Sequence, residues 1–170
     1  MMKKTILVTG GSGVIGSSIL RHFYKKGFNV VAAGLSKKTH ILKIKKEFKS
    51  SRSLIFNTEL TKSKNVKKIV RSVIKKFKRI DVLVNCAGIQ FVMPIDKYPE
   101  KIWRKMIDIN LTTPFLFIKE ILPIMRKNKW GRIINIASTH GLVGSINKSA
   151  YTASKHGLVG LTKVVALETA

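Results

Sequence analysis

Residues 134–155 read INIASTHGLVGSINKSAYTASK, and they gather Ser138, His140, Lys148, Tyr151 and Lys155 into one short stretch. A phenol with a reference pKa of about 10 is a poor base at neutral pH. A lysine ammonium one helical turn away favours the phenolate electrostatically. Tyr151 and Lys155 stand four apart (155 − 151), which puts them on one helix face. Ser138 closes the strand-like run Ile133-Ile134-Asn135-Ile136-Ala137. At the carboxyl end of a strand in an open α/β sheet, a hydroxyl sits where ligands bind. There it can hold a substrate oxygen while the tyrosine moves the proton. A tyrosine and a lysine at this spacing are common on any helix, so the pair gains meaning only from its surroundings.

The second group with chemical content is TGGSGVIG, residues 9–16. Glycines there let the backbone turn tightly and approach a pyrophosphate. The following helix then offers its free N–H groups and positive dipole end to that anion. A glycine cluster alone is weak evidence, because turns also need glycine. This one lies between the first strand and the first helix of an alternating chain, the context in which the motif binds a dinucleotide.

The elements that must carry these groups alternate. Apolar runs predict strands at Thr5–Thr9, Asn29–Ala33, Ser53–Phe56, Ile80–Asn85 and Arg132–Ala137. Helical spacing predicts helices over 14–26, 37–49, 61–79, 99–127 and from 150 onward. In 61–79, Val66, Ile69, Val70, Val73, Ile74 and Phe77 share one face, lysines take the other, and Thr61 is the expected N-cap. Pro114 and Pro123 are expected to kink or divide the 99–127 helix. Strands alternating with amphipathic helices imply a parallel sheet covered on both faces, a doubly wound Rossmann-type α/β fold.

Composition narrows the function classes. The chain has 170 residues, enough for one domain with a real core, and 45% of them are apolar. Its apolar runs are short and broken by charge, so none is expected to span a bilayer. The opening MMKKTILVTG runs straight into the glycine loop, which argues against a secretory signal. The single Cys86 excludes an internal disulfide, suits a reducing, cytoplasmic setting, and reads as a packed core thiol. There are 33 Lys and Arg against 8 Asp and Glu, a net charge of +25. Such a balance can mark a nucleic-acid binder. Here the lysines lie on the outer faces of amphipathic helices, with no aromatic stacking series, so a solvated surface is the better reading and no nucleic-acid or membrane partner is expected.

Taken together the motifs resemble the short-chain dehydrogenase/reductase family over the whole chain. The matching residues are Thr9 through Gly16, Asn85-Cys86-Ala87-Gly88, Asn110, Ser138 and Tyr151-Thr152-Ala153-Ser154-Lys155. The resemblance implies strand order 3-2-1-4-5 in a single NAD(P)-binding domain over 1–170. It implies Tyr151 as general acid/base, Ser138 as carbonyl holder, Lys155 as modulator of the tyrosine and ligand of the nicotinamide ribose, and Asn110 as part of a water-linked proton relay. Cofactor contacts would come from Thr9, Gly10, Ser12, Gly13, Val14, Ile15, Gly16, Leu35, Glu59, Leu60, Asn85, Ala87 and Gly88, together with Tyr151 and Lys155. No metal is implied.

Within the family, CAGIQFVMPIDKYP, WGRIINIASTHGLVGSINKSAY and KHGLVGLTKVVALETA resemble the bacterial D-3-hydroxybutyrate dehydrogenases. That implies NAD-dependent interconversion of (R)-3-hydroxybutyrate and acetoacetate by a homotetramer. Gln90, His140 and Lys148, with Ser138 and Tyr151, would then bind the hydroxy or keto acid. A small hydroxy acid needs a cation and hydrogen-bond donors to fix one end while hydride leaves the other. After the second strand stands Gly34-Leu35-Ser36-Lys37-Lys38, with no acid for the ribose hydroxyls. The NAD enzymes it resembles also lack that acid and use glycine plus an apolar residue, so NAD is expected over NADP.

Three features depart from the pattern. Val14 stands where single-domain members usually have glycine. Glu59 stands where they usually have aspartate at the adenine. The sequence stops at Ala170, inside the helix of Tyr151, so the family's last strands and substrate-covering loop are expected to be missing. A non-catalytic nucleotide-binding remnant is the alternative this raises, and a basic nucleic-acid binder is the alternative raised by charge alone.

Overall fold

The computed structural model describes residues 2–170. Five strands form one sheet: β1 (Thr5–Thr9), β2 (Asn29–Gly34), β3 (Ser53–Asn57), β4 (Val82–Asn85) and β5 (Arg132–Asn135). Their order is β3-β2-β1-β4-β5, as the family resemblance implies. β1 runs parallel to β2 and β4, and β2 parallel to β3, with Leu7 in register with Val31 and Leu83. Ile6, Leu7 and Val8 are all fully buried, so successive side chains are covered on both faces of the sheet. That is why these strands are continuously apolar rather than alternating.

The helices are α1 (Val14–Lys25), α2 (Lys38–Glu47), α3 (Ser63–Phe77), α4 (Glu100–Ile107), α5 (Thr113–Lys127) and α6 (Ser149–Glu168). The chain divides into two compact units, 1–87 with 116–134, and 88–115 with 135–170. The first holds the sheet, apart from Asn135, with α1 to α3 and most of α5. The second holds α4, α6 and the loops beside them.

In the first unit, α3 buries Val66, Ile69, Val70, Val73 and Phe77 along one stripe and exposes its lysines. Thr61 does not cap it. The helix starts after Lys62, and the Thr61 hydroxyl donates instead to Glu59 Oε1 at 2.7 Å. A serine or threonine caps by accepting a backbone N–H, and this one is already turned to a nearer carboxylate. Buried Asp81 ties the strand ends together: its carboxylate accepts the Thr5 N–H at 2.8 Å and the Arg79 guanidinium at 2.7 Å. The carboxylate raises the Arg79 pKa above its ordinary value, chiefly by hydrogen bonding. Cys86 lies just past β4 and is half-buried rather than a core thiol.

Of the two prolines, only Pro114 marks the expected division of the 99–127 helix. Pro123 sits inside α5 without ending it. The 99–127 segment is divided by a π-helical turn, Asp108–Thr112, directly before Pro114. An α-helix would ask residue 114 to donate to the Asn110 carbonyl, and proline has no N–H to give. The Thr113 N–H bonds back to the Asp108 carbonyl, the five-residue step of a π turn. β5 also stops at Asn135, short of the predicted Ala137, so Ser138 is not at the strand tip.

Candidate functional site

The first unit builds an anion cradle. Gly10 takes φ +66°, and its N–H donates to the Ala33 carbonyl at 2.7 Å. A side chain here would strain the backbone and meet the Ala87 Cα at 2.9 Å. Gly16 opens onto the same turn, and a Cβ on it would fall on the Gly10 carbonyl. These two glycines let the loop fold flat against the start of α1. The Gly13 N-cap makes no side-chain cap bond, and α1 has no acid in its first turn. Its N-terminal N–H groups and dipole are therefore suited to an anion. Gly13, Val14 and Ile15 are exposed at the loop surface, while Ser12 is half-buried. Val14 is 89% exposed, so the valine that replaces the expected glycine points into solvent without clash.

Thr9 sets the depth of this cradle. Its Oγ1 accepts the N–H groups of Cys86 at 3.0 Å and Ala87 at 3.1 Å, joining the ends of β1 and β4. Asn85 is buried beside it. At the end of β2, Leu35 is 76% exposed. Glu59 lies two residues past β3, and its carboxylate is taken by Thr61 and by Lys62 Nζ at 3.1 Å. The Leu60 side chain is buried in the core, so that residue offers only its backbone outward.

The second unit gathers the proton-transfer groups on and around α6. Lys155 is buried, its Nζ donates to the Ile136 carbonyl at 2.6 Å, and the ammonium lies 5.7 Å from the Tyr151 ring centroid. The buried ammonium thus stands one helical turn from the phenol, on the same side of α6. Ser138 caps a short 3-10 turn, Thr139–Gly141, where its Oγ accepts the His140 N–H at 3.2 Å. Gly141 makes that turn possible against α6, since a Cβ there would meet the Lys155 carbonyl at 3.0 Å.

His140 packs its ring edge-on to Tyr151, centroids 5.9 Å apart, and its Nε2 is 3.1 Å from Lys148 Nζ. An ammonium can only donate, so Nε2 accepts and the imidazole proton is on Nδ1. That Nδ1 is buried and has no partner among the described residues. A buried donor left open in this way fits an oxyanion of a bound acid. Gln90 is exposed, and the Met93 N–H bonds to the Asn147 carbonyl at 2.9 Å, pinning its loop beside Lys148. The same loop is braced by Tyr98, whose hydroxyl donates to the Phe91 carbonyl; burial pushes its pKa up.

Asn110 sits in the π turn, fully buried. Its amide exchanges two bonds with the Ile89 backbone, both 2.9 Å, beside exposed Gly88. The side chain is thus a clamp on the 88–90 segment.

Three residues of these arrangements carry no role in the sequence reading, although Ser154 stands in the quoted motif. Ser154, fully buried, accepts from Asn110 Nδ2 at 3.2 Å and donates to the Tyr151 carbonyl at 2.8 Å. Its place three residues after Tyr151 was the available signal. Asn147 takes φ +61° just before Lys148, a conformation asparagine tolerates. Asn57 bonds twice to Ser36 across the ends of β2 and β3, which no local pattern announces. Among the described residues no group of three or more His, Cys, Asp or Glu could hold a metal ion, and no helix is long and apolar enough to cross a membrane.

A family model described as short chain dehydrogenase matches residues 4–170. An uncharacterized oxidoreductase, YxjF, of Bacillus subtilis is 42% identical over 173 aligned positions, covering 100% of this chain and 66% of that protein. The D-beta-hydroxybutyrate dehydrogenase of Rhizobium meliloti is also 42% identical, over 99% of this chain and 67% of its own length. Among solved structures, a 4-hydroxyisoleucine dehydrogenase complexed with NADH superposes with a TM-score of 0.86 at 29% identity, over 98% of this chain and 69% of that one. The chain thus spans about two thirds of the length of the relatives it matches.

Proposed function

The chain belongs to the short-chain dehydrogenase/reductase family, an oxidoreductase family, and from that premise we propose that it serves the NAD-dependent interconversion of (R)-3-hydroxybutyrate and acetoacetate. The observation that carries the reading is the buried Lys155 ammonium beneath the Tyr151 ring, one turn along α6.

The residues present fit a dinucleotide. The cradle of Gly10, Ser12, Gly13 and Gly16 with the N-terminus of α1 would take the pyrophosphate, and Leu35 would lie along the adenosine. Lys155 would reach the nicotinamide ribose. When bound, the nicotinamide ring takes or gives the hydride; the proton is handled by this chain. In the oxidative direction the Tyr151 phenolate accepts the hydroxyl proton, and Ser138 Oγ–H donates to the same oxygen as it becomes a carbonyl. Lys155 lowers the cost of the phenolate charge. The Asn110 carbonyl would hold a water that returns the proton to solvent. Lys148 and His140 Nδ1–H would fix the carboxylate at the far end of the substrate, with Gln90 adding a polar contact. A cation plus a neutral donor suits a short acid better than a neutral ketone or a long acyl chain. We place the protein in the cytoplasm and its assembly as a homotetramer on the resemblance alone.

The test is NADH formation from (R)-3-hydroxybutyrate, compared with the (S) enantiomer, neutral secondary alcohols and NADP in place of NAD. Turnover of the (R) acid with NAD is expected. Equal or faster turnover of neutral alcohols would refute the carboxylate site, and tighter binding of NADP would refute the cofactor choice.

A further inference from the structure

Asn57 is the last residue of β3 and pairs in register with Gly34, the last residue of β2. Its side chain reaches across that strand end. Oδ1 accepts the Ser36 N–H at 2.9 Å, and Nδ2 donates to the Ser36 carbonyl at 3.3 Å. The ladder itself ends just beside this clamp, with the Thr58 N–H on the Gly34 carbonyl at 3.0 Å. On its other side Gly34 approaches the glycine loop, where its added Cβ would lie 3.4 Å from the Gly10 nitrogen. Residues 34–36 are thus held between the phosphate cradle and Asn57. Leu35, at the centre of the segment, is 76% exposed. An exposed leucine fixed by bonds on both sides of its backbone is a preset apolar surface, suited to a flat, half-polar group.

We infer that Asn57 is a positioning residue for the adenosine half of the dinucleotide, and that by fixing residues 35–37 it holds the preference for NAD over NADP. This rests on the dinucleotide reading above. With the clamp intact, the backbone at Ser36 is turned to Asn57, and Lys37 and Lys38 follow into the start of α2. Without it the 35–37 loop gains freedom, the Leu35 surface is no longer preset, and the two lysines can swing to a 2′-phosphate. Preorganisation lost in this way weakens binding without removing any ligand contact.

The experiment measures binding of ADP-ribose, NAD and NADP to the chain by titration calorimetry, for the wild type, Asn57→Ala and Asn57→Asp. Losing two hydrogen bonds that order a loop should weaken ADP-ribose and NAD roughly tenfold in Asn57→Ala. NADP should weaken less, so the ratio of the NADP to the NAD dissociation constant falls. Asn57→Asp retains the acceptor for the Ser36 N–H and should hold the loop better than alanine, while its charge keeps NADP disfavoured. Thermal midpoints should stay within a few degrees, because the clamp is on the surface. A wild type that binds NAD, with variants that bind all three ligands as it does, overturns the role of Asn57 alone. Equal weakening of NAD and NADP with a lowered melting point overturns it as well, since that is the mark of a merely structural residue. A wild type that binds no dinucleotide overturns the underlying reading together with this one.

Discussion

Replacing Gly10 by alanine separates two costs that the glycine loop avoids. The first is conformational: at φ +66° an L side chain loses roughly 1–2 kcal/mol. The second is steric. The new Cβ would lie 2.9 Å from the Ala87 Cα and 3.0 Å from its nitrogen, and both atoms are backbone. Ala87 cannot retreat freely, because its N–H is held by Thr9 Oγ1. Overpacking of this kind costs about 1–3 kcal/mol. Gly10→Ala should therefore destabilise by roughly 2–5 kcal/mol, against a total of about 5–15 for a folded domain. At roughly 2–4 °C per kcal/mol for a chain of this size, the melting point should drop by about 4–20 °C. Gly27 supplies the control, with φ +88° and open space around its would-be Cβ. Gly27→Ala bears the conformational cost alone, roughly 1–2 kcal/mol. Gly144→Ala, with neither strain nor neighbours, should change little. The assay is thermal unfolding by circular dichroism, with NAD titration on each variant. Gly10→Ala should also lose dinucleotide binding, and Gly27→Ala should keep it. Equal destabilisation by the Gly10 and Gly27 variants would show that the approach of the loop to β4 is not tight, and the cradle would need another explanation.

Tyr151→Phe keeps the ring beside Lys155 and His140 and removes the proton carrier; turnover should fall by roughly 10²–10⁴ with NAD affinity little changed, and unaltered turnover removes Tyr151 from the mechanism. Lys148→Ala should raise KM for the hydroxy acid with NAD binding intact, and an unchanged KM would sink the carboxylate role. The Arg21 hydrogen bond holds the Glu47 carboxyl below its ordinary value of 4.5. A lowered folded value means that stability is present above 4.5 and is lost as pH falls through the folded value. The pair is partly exposed, so Glu47→Gln should cost at most about 1 kcal/mol at neutral pH, and the gap in melting point to the wild type should close on acidification. A gap that persisted in acid would assign the effect to packing rather than charge.

The alternation of apolar runs and amphipathic helices determined a parallel sheet covered on both faces, because a strand buried on both sides has few ways to be written; its order came from the family resemblance. Val66, Ile69, Val70, Val73 and Phe77 fell on the buried face as their spacing requires. The Tyr151–Lys155 pair was legible for the same reason: both residues lie on one helix, and helical geometry converts spacing into proximity. Local competition was less legible. Thr61 was expected to cap α3, but its hydroxyl met Glu59 first, and the division expected at Pro114 took the form of a π turn that no spacing announces. What only the tertiary structure decided are the contacts between segments distant in the chain. Asn110 holding Ile89 and Ser154, Lys155 on the Ile136 carbonyl, and Asn57 on Ser36 each join residues 19 to 44 positions apart. Side-chain hydrogen bonds have no period, so nothing in the local pattern marks which asparagine will find which backbone. The fold must first bring the two ends together.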